Sequence, residues 1–326
     1  MKTALICGVT GQTGAYLAHS LLEKGYRVVG TSRNHSESNL WRLKRLAIEN
    51  KIEKISLSLL DTEAIRRTLD WCQPDEVYYL AGPSSVAASF REPLVSMDQI
   101  FQPVVCFLEV LKDTKSSAAF FNAASTDCFG NQPGVVLDEK SPMRPLSPYS
   151  VAKTSAFWTV KNYRESFGVR ASNGILTNHE SPLRGPDFVT QKIIRGLRDI
   201  AAGSQQTLKL GATSIERDWL WAGDVATAIS AINSSNKPGD YLVASGRSST
   251  LHEFVTLACA TLGLRIKDVI SHDKSLYRPS EIERISLNPQ RVETELGWKA
   301  QYDLGAIVEA LLVDDVGPTL QNPPPV

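Results

Sequence analysis

Through the first half of the chain, short apolar runs rich in β-branched residues alternate with longer stretches in which apolar positions recur every three or four residues. The period-two and buried runs predict strands over 3–7, 27–31, 54–57, 76–80, 118–123 and 169–176. The longer period predicts helices over 14–24, 62–71, 94–112 and 149–167. Strands separated by whole helices must pair in parallel, because the chain has to cross back before each new strand begins. The fold class expected is therefore α/β, a doubly wound parallel sheet covered on both faces.

After residue 176 the alternation loosens. A loop carrying Asn178, His179, Glu180, Pro182 and Gly185 is expected there, then helices over 189–202, 222–232 and 251–262 and a strand over 241–244. This divides the chain into a nucleotide-binding domain, residues 1–176 plus 211–247, and a smaller interleaved mixed α/β substrate lobe, 177–210 plus 248–316. Residues 317–326, with Pro323 to Pro325, form a loose tail.

Composition narrows the function. Lys plus Arg and Asp plus Glu both number 35, so the net charge is zero, and neither a nucleic-acid nor a membrane partner is expected. The 5 cysteines are scattered, odd in number and never spaced C-x-x-C, which suggests neither a disulfide framework nor a metal site. The apolar run 4–7 is too short for a signal segment, and a reducing cytoplasm is the expected compartment.

The first strand runs into Gly8-Val9-Thr10-Gly11-Gln12-Thr13-Gly14 and then a helix. Glycines are needed there because the backbone must turn sharply and approach a pyrophosphate closely, with the phosphates at the helix N-terminus. The domain is thereby read as a Rossmann domain. Where an NAD enzyme places a carboxylate at the end of the second strand, this sequence has Ser32-Arg33-Asn34. An arginine suits a 2′-phosphate, so NADP is the cofactor expected, a solvated surface charge being the alternative for Arg33. Arg42, Lys44 and Arg45 follow on a helix face.

Tyr149 and Lys153, in Ser-Pro-Tyr-Ser-Val-Ala-Lys, stand four apart and share one face of a helix. An ammonium beside a phenol is expected to lower the tyrosine pKa, so that the phenolate can take a proton from a sugar hydroxyl. Ser125, near the end of the fifth strand, is the hydroxyl partner.

The chain resembles the extended short-chain dehydrogenase/reductase family and, within it, the GDP-mannose 4,6-dehydratase branch. The resemblance is carried by the glycine-loop segment, SPYSVAK, NYRESFG, NHESP, FVTQKI, ERDW and YRPSEIE followed by LGWK. It implies catalytic roles for Ser125, Asp127, Tyr149 and Lys153. Cofactor contacts are implied at Gly8, Gly11, Gln12, Thr13, Gly14, Arg33, Asn34, Ser58, Leu59, Leu80, Ala81, Tyr149, Lys153, Asn178 and His179. Nucleotide-sugar contacts are implied at Ser84, Ser85, Asn178, Glu180, Lys192, Arg217, Arg278 and Glu281, with arginines on the diphosphate. Three alternatives stay open on the residues alone: an ion pair with Asp218 for Arg217, a satisfied core histidine for His179, and a buried thiol for Cys128.

The sequence departs from the branch at three places. Asp127 stands where relatives carry glutamate, Thr13 where they carry aspartate, and the Ile100 to Pro103 segment where they have a polar residue and a glycine; Pro103 inside a helix implies a kink. The activity implied is that of an NADP-dependent lyase converting GDP-mannose to its 4-keto-6-deoxy product. A related GDP-sugar such as a GDP-heptose, or a 4-oxidase, reductase or epimerase reaction, is the alternative. A homodimer or homotetramer is implied through the helices near 94–112 and 149–167, since Phe157, Trp158 and Val160 cannot all face one buried stripe.

Overall fold

The computed structural model describes residues 1–32, 39–277 and 280–317. Seven strands form the central sheet: β1 Thr3–Cys7, β2 Arg27–Thr31, β3 Glu53–Ile55, β4 Glu76–Tyr79, β5 Ala119–Ser125, β6 Ala171–Leu176 and β7 Asp240–Val243. Their order is β7-β6-β5-β4-β1-β2-β3, with every neighbouring pair parallel. The winding reverses between β1 and β4, which opens a crevice at the carboxyl ends of those two strands.

Eight helices matter to the argument: α1 Gln12–Glu23, α2 Thr62–Cys72, α3 Gln102–Asp113, α4 Pro148–Phe167, α5 Val189–Ala201, α6 Ala222–Ser234, α7 Leu251–Thr261 and α8 Leu304–Val313. Successive side chains of a strand point to opposite faces, so β1 serves two cores. Ala4 and Ile6 join Leu17, Leu21, Val225 and Ile229 on the α1 and α6 face. Leu5 and Cys7 join Leu69, Phe107, Leu108 and Val160 on the other. The first of these cores runs on without a break into the smaller lobe, through Leu197, Phe254, Ile307 and Leu311. Each of the leucine, isoleucine, valine and phenylalanine side chains among them contributes roughly 1.5–3 kcal/mol on leaving water.

Several parts of the chain differ from expectation. Residues 178–180, expected in a loop, form a strand, Asn178–Glu180, parallel to Trp219, Leu220 and Trp221 of the strand Glu216–Trp221. Ser248–Thr250 runs antiparallel on the other side of that strand. The polar start Glu216-Arg217-Asp218 hid this strand from a hydrophobicity reading. Asp218 is nevertheless buried, because its carboxylate accepts the backbone N–H of Ser245 at 3.0 Å and of Arg247 at 3.2 Å. The helix expected over 94–112 is also interrupted: Pro93–Ser96 leads into a π turn, Met97–Phe101, before α3 begins. The kink thus falls one turn ahead of Pro103, which sits at the start of α3 where its missing N–H is tolerated. Pro93–Asp113 is the one stretch among the described residues long and apolar enough to cross a membrane, and its α3 half packs Val104, Phe107, Leu108 and Leu111 into the second core.

Candidate active site

The glycine loop leaves no room for side chains at its two ends. Gly8 has φ +89°, and a Cβ there would lie 3.0 Å from the backbone of Ala81 at the head of the crevice. A Cβ on Gly14 would lie 2.3 Å from the Gly8 carbonyl oxygen. The Gly11 N–H donates to that same oxygen at 3.0 Å, closing the turn, and α1 starts at once. A tight backbone cradle opening onto a helix N-terminus fits a dinucleotide pyrophosphate. Leu80 and Ala81 flank the crevice half-buried, whereas Ser58 is exposed and Leu59 half-buried beyond β3.

The loop is fastened to the strand Asn178–Glu180 and the turn after it. The Gln12 side chain donates to the His179 carbonyl at 3.0 Å and accepts from the Ser181 hydroxyl at 2.8 Å. Thr13 meets the His179 ring at 2.8 Å. Arg42 donates to the Thr10 carbonyl at 3.1 Å and to the Leu183 carbonyl at 2.7 Å, so it anchors loop to loop. Arg45 pairs instead with Asp314.

Ser125 ends β5 at the carboxyl edge of the sheet, and its hydroxyl accepts the backbone N–H of Asp127 at 3.2 Å, starting the short helical turn Thr126–Phe129. Opposite it, α4 begins with a Ser147 and Ser150 capping box and Pro148 in its first turn, which fixes Tyr149 and, one turn on, Lys153. Both are buried. The Ser125 hydroxyl and the Asp127 carboxylate both lie near enough to the phenol to act on its pKa, Asp127 raising it and Ser125 lowering it.

The expected lowering of the tyrosine pKa is not what this site does. Burial first, then the Asp127 charge, pushes the Tyr149 phenol up. The Lys153 ammonium points elsewhere, donating to the Ala123 carbonyl at 2.6 Å with the tyrosine ring centroid 5.9 Å away, and burial lowers its own pKa to about 8. Cys128 beside them is fully buried, and burial raises its thiol to about 11.

On the substrate side, Asp127, Ser147, Ser150, Arg217, Glu281 and Val86 line one cavity. Arg217 is buried and pairs with Glu281 at 2.7 Å, not with Asp218. Ser84 is exposed, and Ser85 caps a short helix by accepting the Ala88 N–H at 3.2 Å. Asn178 is half-buried and Lys192 exposed on the first turn of α5. Glu180 is buried, accepting the Thr190 hydroxyl at 2.6 Å, which holds the start of α5 against the strand Asn178–Glu180. Arg33, Asn34, Arg278 and residues 318–326 lie outside the described residues.

Two side chains escaped the sequence reading. Arg184 donates to the His179 carbonyl at 2.9 Å, stacks its guanidinium 3.9 Å over Phe188, and lies near enough to Tyr149 to oppose the rise of its pKa. Its place in the string NHESPLRG was the available signal. Tyr79, the last residue of β4, donates to the Gln99 carbonyl at 2.9 Å; no sequence pattern announces a contact across twenty residues of irregular helix.

A family profile described as GDP-mannose 4,6 dehydratase matches residues 5–311. GDP-mannose 4,6 dehydratase 1 of Arabidopsis thaliana is 38% identical over 325 residues, covering 97% of this chain and 90% of that one. GDP-mannose 4,6-dehydratase of Vibrio cholerae serotype O1 is 34% identical, covering 97% and 94%. Among solved structures, dTDP-glucose 4,6-dehydratase of Bacillus anthracis in complex with NAD superposes with a TM-score of 0.83 at 18% identity, covering 96% of each chain. RMD of Pseudomonas aeruginosa complexed with NADPH gives 0.80 at 22% identity, covering 96% of this chain and 98% of that one. These two show the fold.

Proposed function

The chain belongs to the GDP-mannose 4,6-dehydratase family, and from that premise we propose that it is a hydro-lyase converting GDP-mannose to the 4-keto-6-deoxy sugar nucleotide with NADP held in the glycine loop. The observation that carries this reading is the meeting of Tyr149, Ser125 and Asp127 at the carboxyl edge of the sheet, with Asp127 facing the same cavity as Arg217 and Glu281.

The residues present fit a nicotinamide dinucleotide, since the backbone at Gly8, Gly11 and Gly14 forms a cradle that a Cβ at either end would fill. Gln12 and Thr13 brace that cradle, and Lys153 and Tyr149 lie beyond it at the crevice. When bound, the nicotinamide supplies the hydride acceptor for C4 and the hydride donor for C6. Arg33, two residues after β2 in the sequence, supports NADP over NAD, because a guanidinium pairs with a 2′-phosphate and the run Ser32-Arg33-Asn34 has no carboxylate to bind the free ribose hydroxyl.

Tyr149, in its ionised form, takes the C4 hydroxyl proton while Ser125 holds that oxygen. The C4 carbonyl so formed acidifies the C5 hydrogen. Asp127 removes the C5 proton and delivers a proton to the departing C6 hydroxyl, which leaves as water; when C6 is reduced a proton returns to C5, balanced by the one Tyr149 took from the C4 hydroxyl. Arg217, as part of its pairing with Glu281, presents a fork of donors suited to the diphosphate, and Glu281 an acceptor suited to ribose hydroxyls.

Asp127 is one methylene shorter than glutamate, and about 1 Å of misplacement can cost on the order of a hundredfold in rate. That favours, as a second reading, a reaction that stops at C4 oxidation, reduction or epimerisation, or one tuned to a related GDP-sugar. A homo-oligomer is supported by Trp158, 52% exposed, and Val151, 42% exposed, two turns apart on the outer face of α4. Free cysteines, four of the five buried, support a reducing compartment such as the cytoplasm. The deciding experiment incubates the purified protein with GDP-mannose and related GDP-sugars and identifies products by mass and NMR. A 6-deoxy-4-keto product upholds the reading; a product that keeps its C6 oxygen replaces it with the second.

A further inference from the structure

The segment Ile100 to Pro103 is the departure from relatives that the proposed chemistry does not use, and the structure gives it a place beside Tyr149. Pro103 carries no N–H, so the carbonyl four residues back, that of Gln99, loses its α-helical donor, and the proline ring crowds it aside. The helix answers by widening: the Gln102 N–H reaches five residues back to Met97, the signature of a π turn. The Gln99 carbonyl turns toward the sheet and accepts the Tyr79 hydroxyl at 2.9 Å.

The end of β4 is shaped to let this happen. Gly82 has φ +109°, and a Cβ on it would lie 2.8 Å from the Gln99 oxygen, so only glycine lets the two chain segments approach this closely. Tyr79 is itself fixed in the second core, its ring 6.1 Å from that of Phe107. The next residue on the π turn, Ile100, is 1% exposed and packs against Tyr149 and Ala152, with Val86, Met97 and Phe101 around them. One side of the tyrosine is therefore an apolar wall. Ser125 and Asp127 are polar groups that act on its phenol.

We infer that Tyr79 is a positioning residue for the reaction: through the Gln99 carbonyl, whose α-helical donor Pro103 removes, it holds Ile100 against the ring of Tyr149 and so fixes where the phenol stands and how dry it is. The high tyrosine pKa that burial produces is consistent with the wall. The inference rests on the reading of Tyr149 as the group that takes the C4 hydroxyl proton.

Tyr79→Phe removes one hydroxyl and leaves the ring packing in place, so the test variant keeps its core. In the holoenzyme turning over GDP-mannose, it should lower kcat about tenfold with KM changed less than twofold, and move the tyrosine-dependent limb of the kcat pH profile. Pro103→Ala, which restores a donor to Gln99, should act the same way, and the double variant should be no worse than the poorer single one, because both act through one carbonyl. A readout that needs no substrate is the pH titration of 13Cζ-labelled tyrosine by NMR, with Tyr149→Phe assigning the signal. The Tyr149 resonance should shift and titrate at a different pH in Tyr79→Phe. An unchanged Tyr149 titration in a variant of wild-type melting temperature overturns the inference. A wild type inert toward every GDP-sugar overturns the proposed function instead, and leaves the NMR result to decide this one.

Discussion

The Thr13 hydroxyl stands 2.8 Å from Nε2 of His179, while Nδ1 of the same ring stands 2.8 Å from the Thr177 carbonyl oxygen. A carbonyl can only accept, so Nδ1 carries the hydrogen and Nε2 accepts from threonine. The ring is held neutral: burial first, then the Arg184 charge, brings its pKa down from 6.5 to about 4. A hydroxyl is matched here to a neutral imidazole. The satisfied histidine thus ties the cofactor loop to the strand Asn178–Glu180.

Thr13→Val should therefore cost about 1–2 kcal/mol of stability, because it leaves a buried acceptor unpaired. The folded-state pKa is depressed, so the unfolded chain binds more protons between pH 4 and 6.5. The contribution of neutral His179 is fully present above pH 6.5 and is lost as pH falls toward 4. Asp218, raised to about 6, slopes the opposite way in that window, so the measurement is a difference. The urea-unfolding free energy of wild type minus that of His179→Asn should rise from pH 4 to 6.5 and be flat above; a flat difference throughout contradicts a buried neutral ring.

What the sequence made legible follows from how each part is buried. β1 and β2 end where their apolar runs end, because both faces of a parallel strand are covered and every position reads as core. The glycine loop and the Tyr149 to Lys153 spacing were legible because they are local. Glu216–Trp221 was not, since its charged residues are satisfied by groups distant in sequence: Glu281 for Arg217, and the backbone of 245–247 for Asp218. α8 was missed because 304–313 is apolar on nearly every side and shows no polar stripe. The direction of the Tyr149 shift was misread because the lysine four residues on was counted as its partner, whereas the Ala123 carbonyl takes that ammonium.

Lys153 is buried with its pKa at about 8, so near neutral pH it is still mostly the ammonium that donates to Ala123. Lys153→Met should lower kcat at least a hundredfold and leave a folded protein, since the methionine stem fills the same space. Tyr149→Phe should lower it by about the same or more, having no proton acceptor at all. Single-turnover assays of both variants with equal circular dichroism check this, and a Lys153→Met enzyme within tenfold of wild type would remove the lysine from the site.

Gly14→Ala tests the cradle. The added methyl would sit 2.3 Å from a backbone oxygen that itself closes the turn, and no flexible side chain is there to yield. Cofactor affinity should fall at least tenfold by calorimetry while α1 stays folded. Arg33→Ala should instead weaken NADP about tenfold and leave NAD unchanged, which separates the phosphate contact from the cradle.

Trp158 lies 52% exposed, edge-on to Phe157 and with Lys161 5.1 Å above its ring. Its neighbours Phe157 and Val160 are buried inside the subunit, so only the tryptophan is left to meet another surface. Light scattering at micromolar concentration should give more than one subunit for wild type and a smaller mass for Trp158→Glu. A wild-type monomer refutes the assembly.

The Asp127 carboxylate acts on the Tyr149 phenol, and in the proposed mechanism its charge reaches two steps of the reaction. In the proposed mechanism it is the base for C5 and is needed for water loss, since neither Ser125 nor Thr126 can accept that proton and return it. As a carboxylate near Tyr149 it also raises the phenol pKa, second only to burial. Asp127→Asn removes both effects at once, with opposite consequences. Water loss should stop, and borodeuteride trapping should reveal a 4-keto sugar that keeps its C6 oxygen. At the same time C4 oxidation should continue, and its dependence on the ionised phenol should move to lower pH, because a negative charge has left its neighbourhood. With GDP-mannose deuterated at C4, wild type should deliver the label to C6 of a 6-deoxy product. Label returned to C4, with the C6 oxygen in place, would mean that the shorter carboxylate does not reach the elimination geometry and that the enzyme works at C4 alone.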